Sequence, residues 1–391
     1  MSKLNLDSPI LLIDTSYWLY YRFFSLRNWY FRAYPEKYNN NDKNSFNADY
    51  NWFEDEVFMN KYKKLFIENI KKICKKFKIK MNNVIFCIDC PHNDIWRKTY
   101  ITKLNEKIDI NNEKIINEKN KNDNNEKNEK NEKHKNQDKN EDNNEEQEII
   151  EELIQEYKGT RLESHKKNRF NSFNIFNYMK TIFLPTLKDD NNNPLKILSC
   201  SQCEADDIIG HFTLYIKKLN IQKIPIIYIL ANDNDYLQIC NDKVKLINGV
   251  GKIISISQES NNSNNSNNSN NSIGDNYLLS KILLGDKSDN IKCCRLNIGY
   301  LCSGIPNNNF KNVGKSYVSK IYSNPELFNI FYTLLINIRN NTVDNNTTIN
   351  DININKIIDI NKFKHNCIMM DFQMIPIELK RDLNTLFIQI I

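Results

Sequence analysis

Nine acidic residues of this 391-residue chain stand where carboxylates could meet and carry chemistry: at the ends of apolar runs, at a helix start, or in a turn opened by Gly. They are Asp14, Asp89, Glu204, Asp206, Asp207, Asp233, Asp235, Asp286 and Asp289. So many carboxylates in one crevice would not stay ionised without cations. Hard divalent ions such as Mg²⁺ take carboxylate, water and phosphate oxygens as ligands. Two of them about 4 Å apart can activate a water and stabilise the leaving oxygen in phosphodiester cleavage. The pattern predicts two Mg²⁺ or Mn²⁺ ions.

The spacing of these acids along the chain favours the convergence of their side chains on one site. Asp233 and Asp235 are two residues apart at a strand end, so their side chains project to one side. Glu204 and Asp207 are three apart at a helix start, where they share a face and the helix dipole favours anions. Each acid alone could be a turn former or an N-cap. The metal hypothesis therefore depends on the joint arrangement.

Short apolar runs must position these acids. Runs at 9–14, 84–89, 195–200, 224–233, 244–249 and 251–257 predict strands, and apolar residues at helical spacing predict a helix over 56–78. Continuous apolar strands separated by helices indicate a mainly parallel sheet covered on both faces. In such a sheet the functional crevice lies beyond the carboxyl ends of the strands. The predicted fold class is α/β, followed by a helical region.

Charge is distributed unevenly along the chain. The formal net charge is +6, but residues 105–148 hold nine Lys against fourteen acidic residues, so the remainder carries +11. A basic body suits a nucleic-acid-binding protein.

No apolar run approaches the ~18–20 residues that span a bilayer. The N-terminus lacks a signal-peptide pattern. We expect a soluble, intracellular protein with no membrane partner, and ten Cys at this length indicate a reducing compartment rather than a disulfide scaffold.

Two low-complexity stretches divide the chain. Residues 105–148 are almost wholly Asn, Lys, Glu and Asp, which predicts a disordered insert. The Asn/Ser-rich segment 258–272 predicts a flexible linker. The predicted units are therefore 1–257, which carries the strands, and 273–391, which is helical.

The order of the motifs resembles the structure-specific 5′ nuclease family: flap endonucleases, phage 5′ exonucleases and the 5′-nuclease domain of bacterial DNA polymerase I. The matching segments are LLIDTSYWLYYRFF (11–24), VIFCID (84–89), IWRKTY (95–100), YKGTR (157–161), CEADDIIG (203–210), ILANDNDYLQI (229–239) and LLGDKSDNI (283–291). They extend over about 9–322 once the low-complexity inserts are set aside. The resemblance implies a PIN-like nuclease domain at 1–257.

The resemblance also implies roles for individual residues. Asp14, Asp89, Glu204 and Asp206 match the family's first metal site, with Asp207 beside it, and Asp233, Asp235, Asp286 and Asp289 match the second. Lys158 and Arg161 match catalytic basic residues at the base of the family's helical arch, and Arg22 and Arg97 match further phosphate-binding positions. Such cations can neutralise charge that develops on phosphoryl oxygens.

A helix–hairpin–helix-type motif follows in the family, gripping duplex phosphates through backbone N–H groups and a monovalent cation such as K⁺. Here KNVGKSYVSKIY (311–322) resembles its second half, which makes Gly314 and Lys315 candidate DNA-binding residues. Two departures mark this region. About 19 residues, 293–311, intervene where the family has a short turn, and Asn312 replaces the first Gly of the hairpin.

The resemblance implies Mg²⁺-dependent hydrolysis of DNA near 5′ ends or flaps, in replication or repair, by a monomer in the nucleus or a DNA-containing organelle. Two alternatives stay open: an RNA-directed nuclease of the same fold, and an inactive structure-specific DNA-binding protein. Two C-x-x-C pairs, Cys87 with Cys90 and Cys200 with Cys203, also leave a zinc site as a minor alternative.

Overall fold

The computed structural model describes residues 3–34, 50–104, 106, 173–255, 273–297, 299–300, 310–343, 347–350 and 352–391. Lys158 and Arg161 lie outside the described residues, as do the predicted linker and nearly all of the predicted insert. The roles expected for these two basic residues therefore stay predictions.

A six-stranded sheet forms the centre of the chain, in the order β3-β2-β1-β4-β5-β6. Its strands are β1 (Ile10–Asp14), β2 (Val84–Ile88), β3 (Lys196–Ser199), β4 (Ile227–Leu230), β5 (Val244–Ile247) and β6 (Ile253–Ile254). All neighbouring pairs are parallel except the last, in which β6 runs antiparallel to β5. The strands predicted from apolar runs are confirmed, as is the α/β fold class.

Helices cover both faces of the sheet. Within the described residues they are α1 (Thr15–Ala33), α2 (Glu56–Phe77), α3 (96–104), α4 (Phe173–Tyr178), α5 (Ala205–Lys218), α6 (Ile273–Leu284), α7 (Lys315–Ser323), α8 (Pro325–Arg339), α9 (Ile360–Met370) and α10 (Ile377–Ile390). The helix predicted over 56–78 is confirmed as α2. None of these helices is long and apolar enough to cross a membrane.

Strand β1 illustrates why the sheet needs cover on both sides. Ile10 and Leu12 pack in the core that contains α5, whereas Leu11 and Ile13 pack in the core that contains α1 and α2. All four are fully buried. Because successive side chains of a strand point to opposite faces, a strand buried on both faces must be apolar throughout.

The region after the sheet has its own core, formed by α6 to α9 and a short hairpin of β7 (Arg295–Asn297) with β8 (Phe310–Asn312). Packing nevertheless crosses the linker predicted at 258–272. Helix α10 returns to pack on α5, and the Leu4 N–H donates to the Ile390 carbonyl at 2.7 Å. Ile95 and Ile101, from the first region, join the helical core. Residues of the two predicted regions therefore share hydrophobic cores.

Candidate metal centre

Three of the predicted acids lie at one edge of the sheet because their strands are parallel. Asp14 ends β1, Asp89 follows β2 by one residue, and Asp233 follows β4 by three. In the register, Asp14 stands opposite Cys87, so Asp14 and Asp89 leave adjacent strands at nearly the same level. The carboxyl edge of the sheet therefore brings together acids that are more than 200 residues apart.

Local hydrogen bonds orient the acids at this edge. Asp14 caps α1, its Oδ1 accepting from the Tyr17 N–H at 2.9 Å. Asp89 accepts from the Ser16 hydroxyl through Oδ2 and from the Ala205 N–H through Oδ1 at 2.8 Å. The latter bond ties the end of β2 to the start of α5. Asp89 is thereby held next to the acids of the α5 N-terminus.

The first carboxylate group consists of Glu204, Asp206 and Asp207. Each offers an oxygen, and these atoms lie within 4.8 Å of one another. Glu204 is the N-cap of α5 and forms a capping box with Asp207. A helix start tolerates such a concentration because its N–H groups and dipole favour anions. The sequence pattern EADD therefore produces the predicted convergence.

Within the first group, however, Asp207 already has its charge neutralised. Its carboxylate is fully buried and accepts from Arg97 through both oxygens, at 2.8 and 3.0 Å. Trp96 Nε1 at 3.0 Å and the Glu204 N–H at 3.1 Å complete its partners. Four donors leave little of this carboxylate for an ion. These bonds hold Asp207 next to Glu204, and its predicted role as a metal ligand stays a prediction.

Arg97 corrects the prediction that it contacts DNA phosphate. It is 1% exposed, and its Nε donates to the Met369 carbonyl at 2.9 Å. Its Nη1 also lies 3.4 Å from Glu204 Oε2. A side chain enclosed in this way cannot reach a nucleic acid at the surface. The sequence match placed a cation near the site correctly, but only the packing of α9 decides that Arg97 faces inward.

A buried tyrosine lies next to the acid at the end of β1. The Tyr236 hydroxyl lies 3.5 Å from Asp14 Oδ2. Burial raises the pKa of Tyr236 well above its usual value, and the nearby charges of Asp14, Asp206 and Asp233 raise it further. The Tyr236 hydroxyl therefore faces Asp14 at the carboxyl edge of the sheet. Tyr236 was not among the residues predicted from the sequence.

The second carboxylate group consists of Asp235, Asp286 and Asp289, with oxygens within 4.8 Å of one another. Asp286 sits in a turn closed by mutual backbone hydrogen bonds with Ile291 at 2.7 and 2.8 Å. Gly285 opens this turn with a φ of +72°, and a Cβ there would lie 2.4 Å from the Ile291 carbonyl oxygen. Only Gly fits such a position. The GDKSDN segment thus presents Asp286 and Asp289 together, as predicted.

Asp233 lies two residues before Asp235 of the second group. Burial raises the pKa of Tyr277 to about 12, with further contributions from the charges of Asp233 and Asp286. Asp233 itself accepts from the Asp235 N–H at 2.9 Å and caps a 3₁₀ turn over Asn234–Ile239. Asp233 and Asp235 follow β4, so the second group begins at the same edge of the sheet as Asp14 and Asp89. Whether each binds a metal ion stays a prediction.

Lys281, a residue the sequence analysis missed, bridges the second group. Its ammonium makes ion pairs with Asp235 and with Asp286 Oδ2, the latter at 2.7 Å. Burial raises the pKa of Asp286, but hydrogen bonds from Lys281 and Ser288 outweigh it and lower that pKa to about 2. The two acids belong to segments about 50 residues apart, so no local spacing signals this contact.

The donor set fits hard divalent ions. Both groups offer only carboxylate oxygens, which Mg²⁺ and Mn²⁺ prefer. The Lys281 ammonium pairs with two acids of the second group and so offsets part of their negative charge. No Cys belongs to any candidate ligand group within the described residues, and burial raises the pKa of the Cys87 thiol. The minor zinc alternative has no support there.

The remaining predicted DNA contacts differ in exposure. Arg22 is half-buried, its guanidinium 5.4 Å from the Trp18 ring centre and 5.0 Å from that of Tyr21. Lys315 is exposed at the start of α7, and a Cβ added to Gly314 would meet nothing within 4 Å. Approach of a phosphate to this helix start is therefore sterically open, and the DNA-binding roles of Arg22, Gly314 and Lys315 stay predictions.

The hairpin that precedes α7 replaces the family's short turn. Strands β7 and β8 pair antiparallel, with Arg295 opposite Asn312. Of the 19 inserted residues, 298 and 301–309 lie outside the described residues. Asn312 thus ends a strand instead of occupying a glycine turn, and nothing within the described residues tests the predicted K⁺ site.

Comparisons with known proteins give a likeness in solved structures alone. No family model and no curated protein matches the sequence. A T5 protein co-crystallised with metal ions is similar at 12% identity and a TM-score of 0.41, covering 98% of this chain and 99% of that one. T5 5′-exonuclease with bound zinc is similar at 11% identity and a TM-score of 0.40, with coverages of 98% and 99%.

A bacteriophage T5 flap endonuclease crystallised with DNA and metal ions is similar at 12% identity and a TM-score of 0.40, covering 98% of each chain. Likeness at these values does not establish a shared activity. The functional assignment of this chain must come from its own residues.

Proposed function

We propose that this chain is a divalent-metal-dependent nuclease that hydrolyses DNA phosphodiesters at or near 5′ ends and flaps. The observation that carries the proposal is the convergence of two carboxylate groups, with Asp14, Asp89 and Asp233, on the carboxyl edge of a parallel sheet. The motif order that resembles 5′ nucleases supports the 5′-end specificity and a role in replication or repair.

Each of the two ions in this proposal has its own set of acids. Glu204 and Asp206, with Asp14 and Asp89 beside them, would bind one ion, and Asp235, Asp286 and Asp289, with Asp233, would bind the other. Mg²⁺ or Mn²⁺ bound there would supply a water of lowered pKa and neutralise charge on the phosphoryl oxygens.

The other contributions come from this chain. Asp207, which is paired with Arg97, accepts a hydrogen bond from the Glu204 N–H and so holds Glu204 in position. Ser16 and the Ala205 N–H fix Asp89, so the ligands are oriented before any ion arrives. Preorganised ligands lower the cost of reorganisation during reaction. When no divalent ion is bound, the Lys281 ammonium offsets the repulsion between the carboxylates of Asp235 and Asp286.

A nuclease assay on labelled substrates tests the proposal. Wild type should cut a 5′-labelled flap DNA with Mg²⁺ and not with EDTA. Asp233→Asn should lower the rate more than about 100-fold, since outer-shell partners of a metal site alone are worth about 10–100-fold. Asp242→Asn, an exposed acid of the same region, is the matched control and should cut normally.

A matched RNA substrate in the same assay separates the alternatives. Preferential cutting of RNA would identify an RNA-directed nuclease of this fold. Metal-replete wild type that binds flap DNA but leaves both substrates intact would identify a structure-binding protein and refute the enzyme proposal. Equal cutting by Asp233→Asn would place the activity elsewhere.

A further inference from the structure

A cavity of about 260 Å³ lies between α5, α8 and α10, away from the carboxylate groups. Its polar lining includes Lys218, Arg339, Lys380, His211, Asn340 and Asn384. Three of these side chains are cationic, and no carboxylate lines the cavity. This α5–α10 cavity has no part in the proposed metal chemistry.

Two of its cations lack acidic partners. Within the described parts of the chain, neither Lys218 nor Lys380 makes an ion pair, and Lys380 Nζ donates instead to the Gln373 carbonyl at 2.7 Å. Burial lowers the pKa of Lys380; the charge of Asp371 opposes this, and that of Lys218 adds to it. Two lysines that repel each other at a cavity wall would be stabilised by an anion between them.

The third cation, Arg339, is paired with two acids that lie outside the α5–α10 cavity. Its Nε donates to Asp371 at 2.6 Å and its Nη2 to Asp275 at 2.9 Å, and its side chain is 9% exposed. These two acids line an adjacent cavity together with Lys217. Counting both cavities, four cations face two carboxylates. The lining of the two cavities therefore keeps a net positive charge although Arg339 is paired.

Neutral donors complete the lining. Burial lowers the pKa of His211, which is 9% exposed, and its Nε2 lies 2.9 Å from Asn384 Oδ1. A neutral imidazole fixed in this way neither adds nor cancels charge. The amides of Asn340 and Asn384 can donate N–H groups to an acceptor. Cations together with amide N–H donors form the combination that recognises oxyanions.

We propose that the α5–α10 cavity binds a phosphate group. Its volume is below the ~300–1,000 Å³ usual for larger organic ligands, so a compact anion fits best. Lys218 ends α5, whereas Glu204 caps its start, so about 20 Å of helix separates this site from the first carboxylate group. The phosphate comes either from a nucleic-acid backbone or from a free phosphate ester.

Titration with inorganic phosphate in EDTA tests the site without the metal centre, and so independently of the nuclease proposal. Wild type should bind phosphate by calorimetry at moderate salt. Lys218→Gln with Lys380→Gln should raise the Kd more than tenfold, whereas Lys71→Gln, an exposed lysine on the other face of the sheet, should leave it unchanged. Lys380→Arg keeps the charge and should retain binding.

Far-UV circular dichroism and thermal unfolding without phosphate verify that the variants fold. Absence of phosphate binding by wild type, or equal binding by the folded double variant, overturns the proposal. Duplex DNA binding in EDTA then identifies the source. Weaker binding by the double variant, with a smaller salt slope, supports a backbone phosphate, because each phosphate contact contributes about one unit of slope. Unchanged DNA binding, with phosphate binding lost, supports a free phosphate ester.

Discussion

The two carboxylate groups are alike in composition but differ in where their neutralising cation lies. In the first group, Arg97 stands behind the acids, 1% exposed and paired with Asp207. In the second, Lys281 stands among the acids, with a side chain 15% exposed, and pairs with Asp235 and Asp286. A cation behind the acids fixes their geometry and leaves their open side free. A cation among them stabilises the ion-free protein but occupies space that a divalent ion needs.

Removing the buried cation should have the largest effect on stability. Arg97→Met leaves Asp207 buried without its partner, which should lower the free energy of unfolding by about 3–5 kcal/mol. Urea denaturation measures this value. Adding Asp207→Asn should recover part of the loss, because the uncompensated charge is then gone. A loss below 1 kcal/mol for Arg97→Met would contradict the view that this pair anchors the first group.

Divalent ions should stabilise the protein by a smaller amount. Mn²⁺ at about 100 times its Kd should raise the free energy of unfolding by about 2.7 kcal/mol for each site filled. Asp206→Asn should reduce that response, whereas Asp242→Asn should not, since Asp242 is exposed and outside both groups. Thermal unfolding with and without EDTA provides the measurement. A response in Asp206→Asn equal to that of wild type would remove Asp206 from the ligand set.

Lys281→Gln should strengthen ion binding at the second group. Without the competing ammonium, Mn²⁺ affinity there should rise about tenfold, which corresponds to about 1.4 kcal/mol. Calorimetry on metal-free protein measures the change. Lys287→Gln removes the same charge from an exposed position of the neighbouring turn and serves as the control. Weaker Mn²⁺ binding by Lys281→Gln would show that Lys281 assists the ion instead of competing with it.

The smallest expected effect is a loss of folding stability at acid pH that comes from the second group alone. Because the pKa of Asp286 is lowered to about 2 in the folded protein, its pairing with Lys281 stabilises the fold fully above the unfolded pKa. That contribution, under about 1 kcal/mol for a partly exposed pair, is lost as pH falls from about 4 to about 2. Metal-free wild type should therefore lose more stability over this interval than Lys281→Gln. Parallel pH profiles in urea denaturation would contradict the assignment.

Most of the fold was predictable because its signals are local. The apolar runs that became β1 and β2 are buried on both faces, so their composition alone identifies them, and those that became β3 to β5 keep most of their residues buried. Acids at their carboxyl ends must then meet, since parallel strands end at a common edge. The GDKSDN turn was also predictable from the sequence, because it begins with Gly. This Gly adopts a positive φ that other residues avoid.

Other features were not predictable, because they depend on contacts between distant segments. Arg97 looked like a phosphate contact, yet the packing of α9, whose Met369 carbonyl it binds, turns it inward. The bridge from Lys281 to Asp235 spans 46 residues. The region 273–391 was predicted to be helical, but the sequence does not show that α10 packs on α5 and lines a basic cavity.

The sequence alone thus determined which residues could form strands, where acids would gather, and that cations must accompany them, because burial and charge repulsion act on residue types. Only the tertiary structure decided how each charge is used. Asp207 is matched to a buried arginine, Asp286 shares a lysine with Asp235, and Lys218 and Lys380 face a cavity without a carboxylate. Pairing energies depend on distances of a few ångströms between segments far apart in the chain, and spacing along the sequence does not encode those distances.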